Sequence, residues 1–267
     1  MEYLTEPEPP RFTRLPVAPG ISRMVAPNPG PMTYHGTNTW LVETAAGLVV
    51  IDPGPAEAAH VAALVAAAGP IAHILLTHGH ADHSGAVPAL EAAAGAPVSA
   101  WPDLAESEEV AGLRVLPTPG HARDHLCFAH ASGHLFSGDH VMGWSSSIVA
   151  PPDGDMSAYL ASLEKLLGRD DHTYLPGHGP PIPAPRAHVA ALRAHRLVRE
   201  ADILGALGRL PQDLAALRAR LYPALAPRLA GAAERTLLAH LEKLAREGKV
   251  RRGAGGGWQH AGGSPGA

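Results

Sequence analysis

The chain has 267 residues, of which 46% are hydrophobic and 17% charged, with a mean hydropathy near zero. That balance can bury one sizeable core plus a smaller second domain, and it excludes a disordered polymer. Net charge is −4 but unevenly placed: residues 1–185 carry 7 Lys/Arg against 19 Asp/Glu, and residues 186–267 carry 14 against 6, which predicts two units with different surfaces.

The single cysteine, Cys127, excludes an intrachain disulfide. It sits in an apolar run and reads as a small buried hydrophobe rather than a catalytic thiol. The acidic N-terminus does not read as a signal peptide. The longest nearly uncharged stretch, 58–76, is broken by Gly-Pro and His, so no membrane span is expected. The expected location is cytoplasmic.

In chain order, short strands are predicted at 20–26, 38–43 and 47–51, the last closed by the turn Asp52-Pro-Gly-Pro. An Ala-rich helix over 56–68 stops at Gly69-Pro70, and an apolar strand over 71–76 follows. A helix over 84–94, strands at 98–101 and 113–116, and a hairpin from 125–129 and 134–137 come next. A helix over 155–167, capped by Asp155, leads to a strand at 173–175. Strands and helices in this order make a layered α/β architecture, with helices outside the sheets. From Arg186 to about Leu207 a long helix is expected. Helices near 213–222 and 231–247, then a small hairpin that begins with the strand-like Lys-Val-Arg-Arg, complete a winged-helix pattern. The expected units are 1–184 and 185–260. The Gly-rich stretch from 253 is expected to fray, with a disordered tail over 261–267.

The chemistry is concentrated after the 71–76 strand, in Thr77-His78-Gly79-His80-Ala81-Asp82-His83. A segment still extended there points His78 and His80 the same way. Asp82 and His83 then turn elsewhere as a helix begins. The bland alternative is a solvated histidine-rich loop, in a chain with 17 histidines. Three further strand ends carry His121 in Pro-Gly-His, Asp139 in Ser-Gly-Asp and His178 in Pro-Gly-His-Gly. Five histidines and two aspartates are too many for one tetrahedral ion and suit two ions sharing a carboxylate, for which Asp139 is the natural bridge.

His78-x-His80-x-Asp82-His83 with His121, Asp139 and His178 at these intervals resembles the metallo-β-lactamase superfamily over roughly residues 20–182. The resemblance implies an αβ/βα sandwich with a metal site at one edge. It implies that His78, His80 and His121 hold one ion, that Asp82, His83 and His178 hold the second, and that Asp139 bridges. The expected pair is two Zn2+, with iron or manganese as alternatives. Asp52 matches a buried aspartate that buttresses the site. The stretches Thr-Pro-Gly-His-Ala-Arg-Asp-His125, Leu-Phe-Ser-Gly-Asp139, Pro152-Asp-Gly-Asp-Met156 and His195-Arg-Leu-Val-Arg-Glu200 are similar to the beta-lactamase-like protein 2 group. That group includes an endoribonuclease and carries a C-terminal winged-helix-like domain.

The resemblance implies a dinuclear hydrolase in which a metal-bridged hydroxide attacks the substrate, with Asp82 and Asp139 holding the nucleophile. True β-lactamases normally lack the bridging aspartate, which argues against antibiotic hydrolysis. Two substrates stay open: single-stranded RNA, and a small-molecule ester or thioester as in glyoxalase II. For RNA, Arg193, Arg196 and Arg199 are candidate phosphate contacts, although the catalytic half is acidic. A mono-iron persulfide dioxygenase and a non-enzymatic nucleic-acid-binding protein are weaker alternatives. His140 reads as a plain hydrogen-bonded histidine rather than a proton donor, and His125 and His172 receive no role. Residues 142–147 are expected to rim the pocket. The C-terminal unit is expected to pack on the catalytic half or to mediate homodimerisation.

Overall fold

The computed structural model describes residues 2–45 and 47–262. Six strands form the first sheet: β1 (Leu15–Ala18), β2 (Ile21–Val25), β3 (Asn38–Thr44), β4 (Gly47–Ile51), β5 (Ile71–Leu75) and β6 (Val98–Ser99), in that spatial order. The helices α1 (Ala58–Ala68), α2 (Ala81–Ser84) and α3 (Val87–Ala94) fall between its last strands. The second sheet contains β7 (Glu109–Val110), β8 (Leu113–Pro117), β9 (Leu126–His130), β10 (His134–Gly138) and β11 (Thr173–Pro176), ordered β11-β10-β9-β8-β7. Helix α4 (Met156–Leu167) joins β10 to β11.

Side-chain alternation along each strand builds the layers. Trp40, Val42, Val49, Ile51 and Leu75 point from the first sheet into one core, where they meet Val115, Phe128, Phe136 and Leu175 of the second. Their neighbours point the other way. Leu41, Val50 and Ile74 pack on Leu64 of α1 and Leu90 of α3. On the far side, Cys127, Leu135 and Tyr174 pack on Tyr159 and Leu163 of α4. The result is the αβ/βα sandwich expected from the resemblance. Cys127 is fully buried, and burial pushes its thiol up to about 12, so it is a hydrophobe and no nucleophile.

The C-terminal part contains α5 (Pro185–Ala206), α6 (Leu214–Leu221), α7 (Ala230–Arg246), β12 (Val250–Arg252) and β13 (Trp258–His260). Helix α5 serves two cores. Val189 and Leu192 join α4 under the second sheet. Ile203 and Ala206 join Leu217, Leu237, Leu241 and Trp258 in a separate cluster. The unit packs on the N-terminal sandwich, since Ala239 of α7 also lies in the core beneath the second sheet.

Three expectations need correction. The helix drawn over 84–94 is broken into α2 and α3, and α2 starts inside the histidine motif. β1 and β7 have no counterpart among the predicted strands, being short and partly exposed. Fraying from Gly253 is wrong as far as His260: β13 pairs antiparallel with β12, and Trp258 is buried beneath Arg252. The part of the expected tail at 263–267 lies outside the described residues. No helix among the described residues is long and apolar enough to cross a membrane.

His60, buried on α1, shares a hydrogen bond with Thr39 Oγ1 at 3.1 Å. Burial pushes its pKa from 6.5 down to about 4, because a low-dielectric site disfavours the charged ring. The unfolded chain therefore takes up a proton that the folded chain refuses between these values. The stability contribution is fully present above pH 6.5 and is lost as pH falls to about 4. His60→Gln should flatten this acid limb in urea unfolding run at several pH values. Parallel limbs for the two proteins would refute it.

Candidate metal centre

All seven side chains singled out in the sequence converge at one edge of the sandwich. Their carriers follow the C-terminal ends of β5, β8, β10 and β11. Three groups of ligand atoms each lie within 4.8 Å of one another: His78, His80 and His121; His78, His83 and Asp139; Asp82, His83 and His178. In the first group His80 Nδ1 is 2.9 Å from His78 Nε2 and 3.1 Å from His121 Nε2. Asp139 lies between the groups, with Oδ1 3.5 Å from His83 Nε2 and Oδ2 3.5 Å from His178 Nε2 and 3.7 Å from His121 Nε2. Asp82 Oδ2 is 3.3 Å from His178 Nε2.

The histidines are held from behind. Asp52, 1% exposed, accepts from the Thr77 backbone N–H at 2.7 Å, the Thr77 hydroxyl at 2.7 Å and His83 Nδ1 at 2.9 Å. The Thr77 hydroxyl also lies 3.0 Å from His78 Nδ1. His121 Nδ1 donates to the Ile148 carbonyl at 2.6 Å, and His178 Nδ1 to the Gly36 carbonyl at 3.2 Å. A carbonyl only accepts, so both rings must present an unprotonated Nε2 to the site when neutral. These backbone acceptors have no signature in a sequence. Asp124 stands in the sequence only as one member of the Thr-Pro-Gly-His-Ala-Arg-Asp-His stretch, and it braces the loop by accepting from Gly79 N–H at 2.9 Å. The glycine of Pro176-Gly-His178 has a steric reason: a Cβ on Gly177 would stand 2.5 Å from Asp139 Oδ1 and 2.6 Å from His83 Cε1.

Electrostatics fit a cation here. Burial works against charge at Asp139, yet His178 and His83 beside it hold its carboxyl well below the usual range. Burial likewise opposes a charged His178, but Asp139 and Asp82 push it up to about 9. His83 Nε2, His178 Nε2 and Asp139 Oδ1 are buried without a hydrogen-bond partner among the described residues. Orphaned donor atoms of nitrogen and carboxylate type, converging on one point, suit zinc, iron or manganese.

The remaining histidines separate cleanly. His125 is buried with Nδ1 2.9 Å from Thr118 Oγ1, and its ring lies 5.2 Å from that of His78. His140 is buried against Tyr159, and desolvation with His121 nearby pushes it down to about 3, so its ring is neutral. His172 lies apart, against the Ser132 carbonyl. Two of the three arginines expected to meet phosphate are withdrawn from solvent or already paired. Arg196 is 3% exposed and donates to the Ser147 carbonyl, and Arg193 pairs with Glu164 at 2.7 Å. Arg199 lies over the Tyr222 ring at 4.3 Å.

A four-layer sandwich with a histidine–aspartate cluster at its edge defines a class of metal-dependent hydrolases. Residues 32–100 and 96–178 match the metallo-beta-lactamase superfamily, and 214–258 match the beta-lactamase associated winged helix domain. The chain belongs to the metallo-beta-lactamase superfamily and contains a winged helix domain. It is 32% identical over 276 residues to the beta-lactamase-like protein 2 homolog of Drosophila melanogaster, covering 91% of this chain and 92% of that one. It is 31% identical over 214 residues to an atrochrysone carboxyl ACP thioesterase of Claviceps purpurea (strain 20.1), covering 73% and 68%. The crystal structure of a metallo-beta-lactamase family protein of Thermus thermophilus, TTHA1429, superposes with a TM-score of 0.78 at 26% identity, covering 91% and 99%.

Proposed function

We propose that the chain is a dinuclear zinc hydrolase of small thioesters or esters, with residues 1–184 as catalytic domain and 185–260 as helical domain. His78, His80 and His121 would hold one ion and Asp82, His83 and His178 the other, with Asp139 standing between the two sets. Bound there, the ions would supply Lewis acidity and ease the deprotonation of water near neutral pH. The chain's own residues do the rest. Asp82 and Asp139 accept hydrogen bonds from the attacking water and fix its direction toward the carbonyl carbon. A bond forms between the water oxygen and the carbonyl carbon as the carbon–sulfur bond breaks; one water proton ends on the departing sulfur and the other goes to solvent, giving a carboxylate and a thiol. A thiolate is a good leaving group, so this step needs little help from a proton donor.

The observation that carries the thioester over RNA is what surrounds the mouth. Arg193 is paired with Glu164 and Arg196 faces inward, 3% exposed, while the metal site's cavity is lined by apolar Met32, Met142 and Ile148, and its Arg235 stands with the acidic Asp153. Single-stranded nucleic acid needs a basic groove with stacking rings. The thioesterase among the relatives points the same way.

The test pairs wild type with His80→Ala, purified identically, on acyl thioesters and on labelled single-stranded RNA, with metal content measured on both. Thioester turnover that falls at least roughly a hundredfold with His80→Ala is expected, alongside intact RNA. RNA cut by wild type but not by His80→Ala, with thioesters untouched, would overturn the assignment.

A further inference from the structure

The metal site's cavity, about 240 Å³, shares Met32, Met142 and Ile148 with a second cavity of about 420 Å³. The second one lies where the catalytic half meets the C-terminal unit, which contributes Tyr222, Leu225 and Leu229. Among the described residues its lining contains no Asp or Glu, but it does contain Arg196 and Arg199. Four lining nitrogens are buried with no hydrogen-bond partner among the described residues: Trp144 Nε1, His195 Nδ1, Arg196 Nε and Arg199 Nε. The indole and the two guanidinium nitrogens can only donate. A buried donor left unpaired is costly, and native structures rarely tolerate several together. Three lining one largely apolar cavity call for an acceptor.

The arginines also say what kind. Arg196 already spends Nη2 on the Ser147 carbonyl, and its guanidinium lies 5.4 Å from the Tyr159 ring centroid. Arg199 spends Nη1 on the Leu221 carbonyl at 3.3 Å and on Asp202 at 3.5 Å. Each guanidinium therefore has one Nη engaged and an unpaired Nε–H buried behind the cavity wall that the residue lines. Single donors on separate residues suit the two oxygens of a carboxylate better than a phosphate dianion. Apolar walls suit a hydrocarbon or aromatic body.

We propose that this second cavity is the acyl-side subsite, and that it takes an apolar acyl chain ending in a carboxylate, held by Arg196, Arg199 and Trp144 while the thioester carbonyl reaches the metal centre. This rests on the thioester reading above and names its substrate class: thioesters of apolar acids that carry a second, remote carboxylate.

The test is calorimetric, on full-length metal-loaded protein, with 6-phenylhexanoate and its primary amide as probes. Wild type should bind the acid at least about tenfold more tightly than the amide. Arg199→Gln and Trp144→Phe should each lose most of that preference, the amide serving as the reference for intact folding. His80→Ala should keep it. No preference in wild type, or a preference that survives both cavity variants, overturns the assignment. So does a preference lost in His80→Ala and kept in Arg199→Gln, which would place the carboxylate on the metals. Turnover of ω-carboxyacyl thioesters is measured separately. Full acid preference without such turnover would leave the subsite standing and remove the thioester reaction.

Discussion

Asp139→Asn should purify folded but with about one divalent ion per chain instead of two, and with turnover lowered by roughly a thousandfold or more. The geometry gives the reason. Among the described residues, Asp139 is the one side chain whose two oxygens stand 3.5–3.7 Å from nitrogens of both ligand sets, His121 on one side and His83 and His178 on the other. An amide of the same shape keeps one oxygen, turns an NH2 toward the second ion and carries no charge. Repulsion there, at a position only 6% exposed, is worth more than in solvent. Plasma emission spectrometry counts the ions, and circular dichroism checks the fold. Two ions retained, with turnover within about tenfold of wild type, would remove Asp139 from the bridging position.

Asp52→Asn should cost roughly 3 kcal/mol of stability and weaken binding of the ion at His83 by about 10–100-fold. Asp52 has a left-handed backbone, φ 52°, a conformation that asparagine tolerates, so the exchange tests hydrogen bonding rather than strain. The carboxylate receives three donors, from Thr77 twice and from His83 Nδ1. An amide can satisfy them only in part, and its NH2 faces another donor. His83 then loses the partner that sets its tautomer. The other ion should feel less, because only His78 is linked to Asp52, through Thr77. Urea unfolding of the metal-free proteins and chelator competition with resolved binding steps give the two readouts. A stability change under about 1 kcal/mol with both steps unmoved would contradict the buttress role.

Much of the site can be read from the chain because ligand chemistry admits few residue types. Four histidine or aspartate side chains in six positions, then His121, Asp139 and His178 after apolar runs, form a pattern that metal ligation produces and chance composition rarely does. The central strands are equally plain, since β4 and β5 are nearly continuous apolar stretches with β-branched residues and β3 carries Trp40, Leu41 and Val42 at its centre. Elements that stay hidden carry weak local signals. β7 has two residues, and β13, the second strand of the expected hairpin, sits behind four glycines of the 253–257 stretch that read as frayed until its pairing with β12 and the burial of Trp258 overrule composition. The carbonyls of Gly36 and Ile148 that orient His178 and His121 are backbone atoms and have no residue type to betray them. Arg196 misleads for a related reason: a basic residue on a helix looks solvated until tertiary packing covers it.

Helix α5 ties two of the molecule's hydrophobic clusters into one mechanical piece. Its first turns are clamped beneath the second sheet and its last turns anchor the winged helix, and Arg246 of α7 reaches back to Asp155 at the start of α4 at 2.6 Å. A rod fixed at both ends leaves no hinge between catalytic edge and helical unit, so the two should melt in one transition. Access of substrates would then be regulated by which molecules fit, since the architecture provides no door to swing.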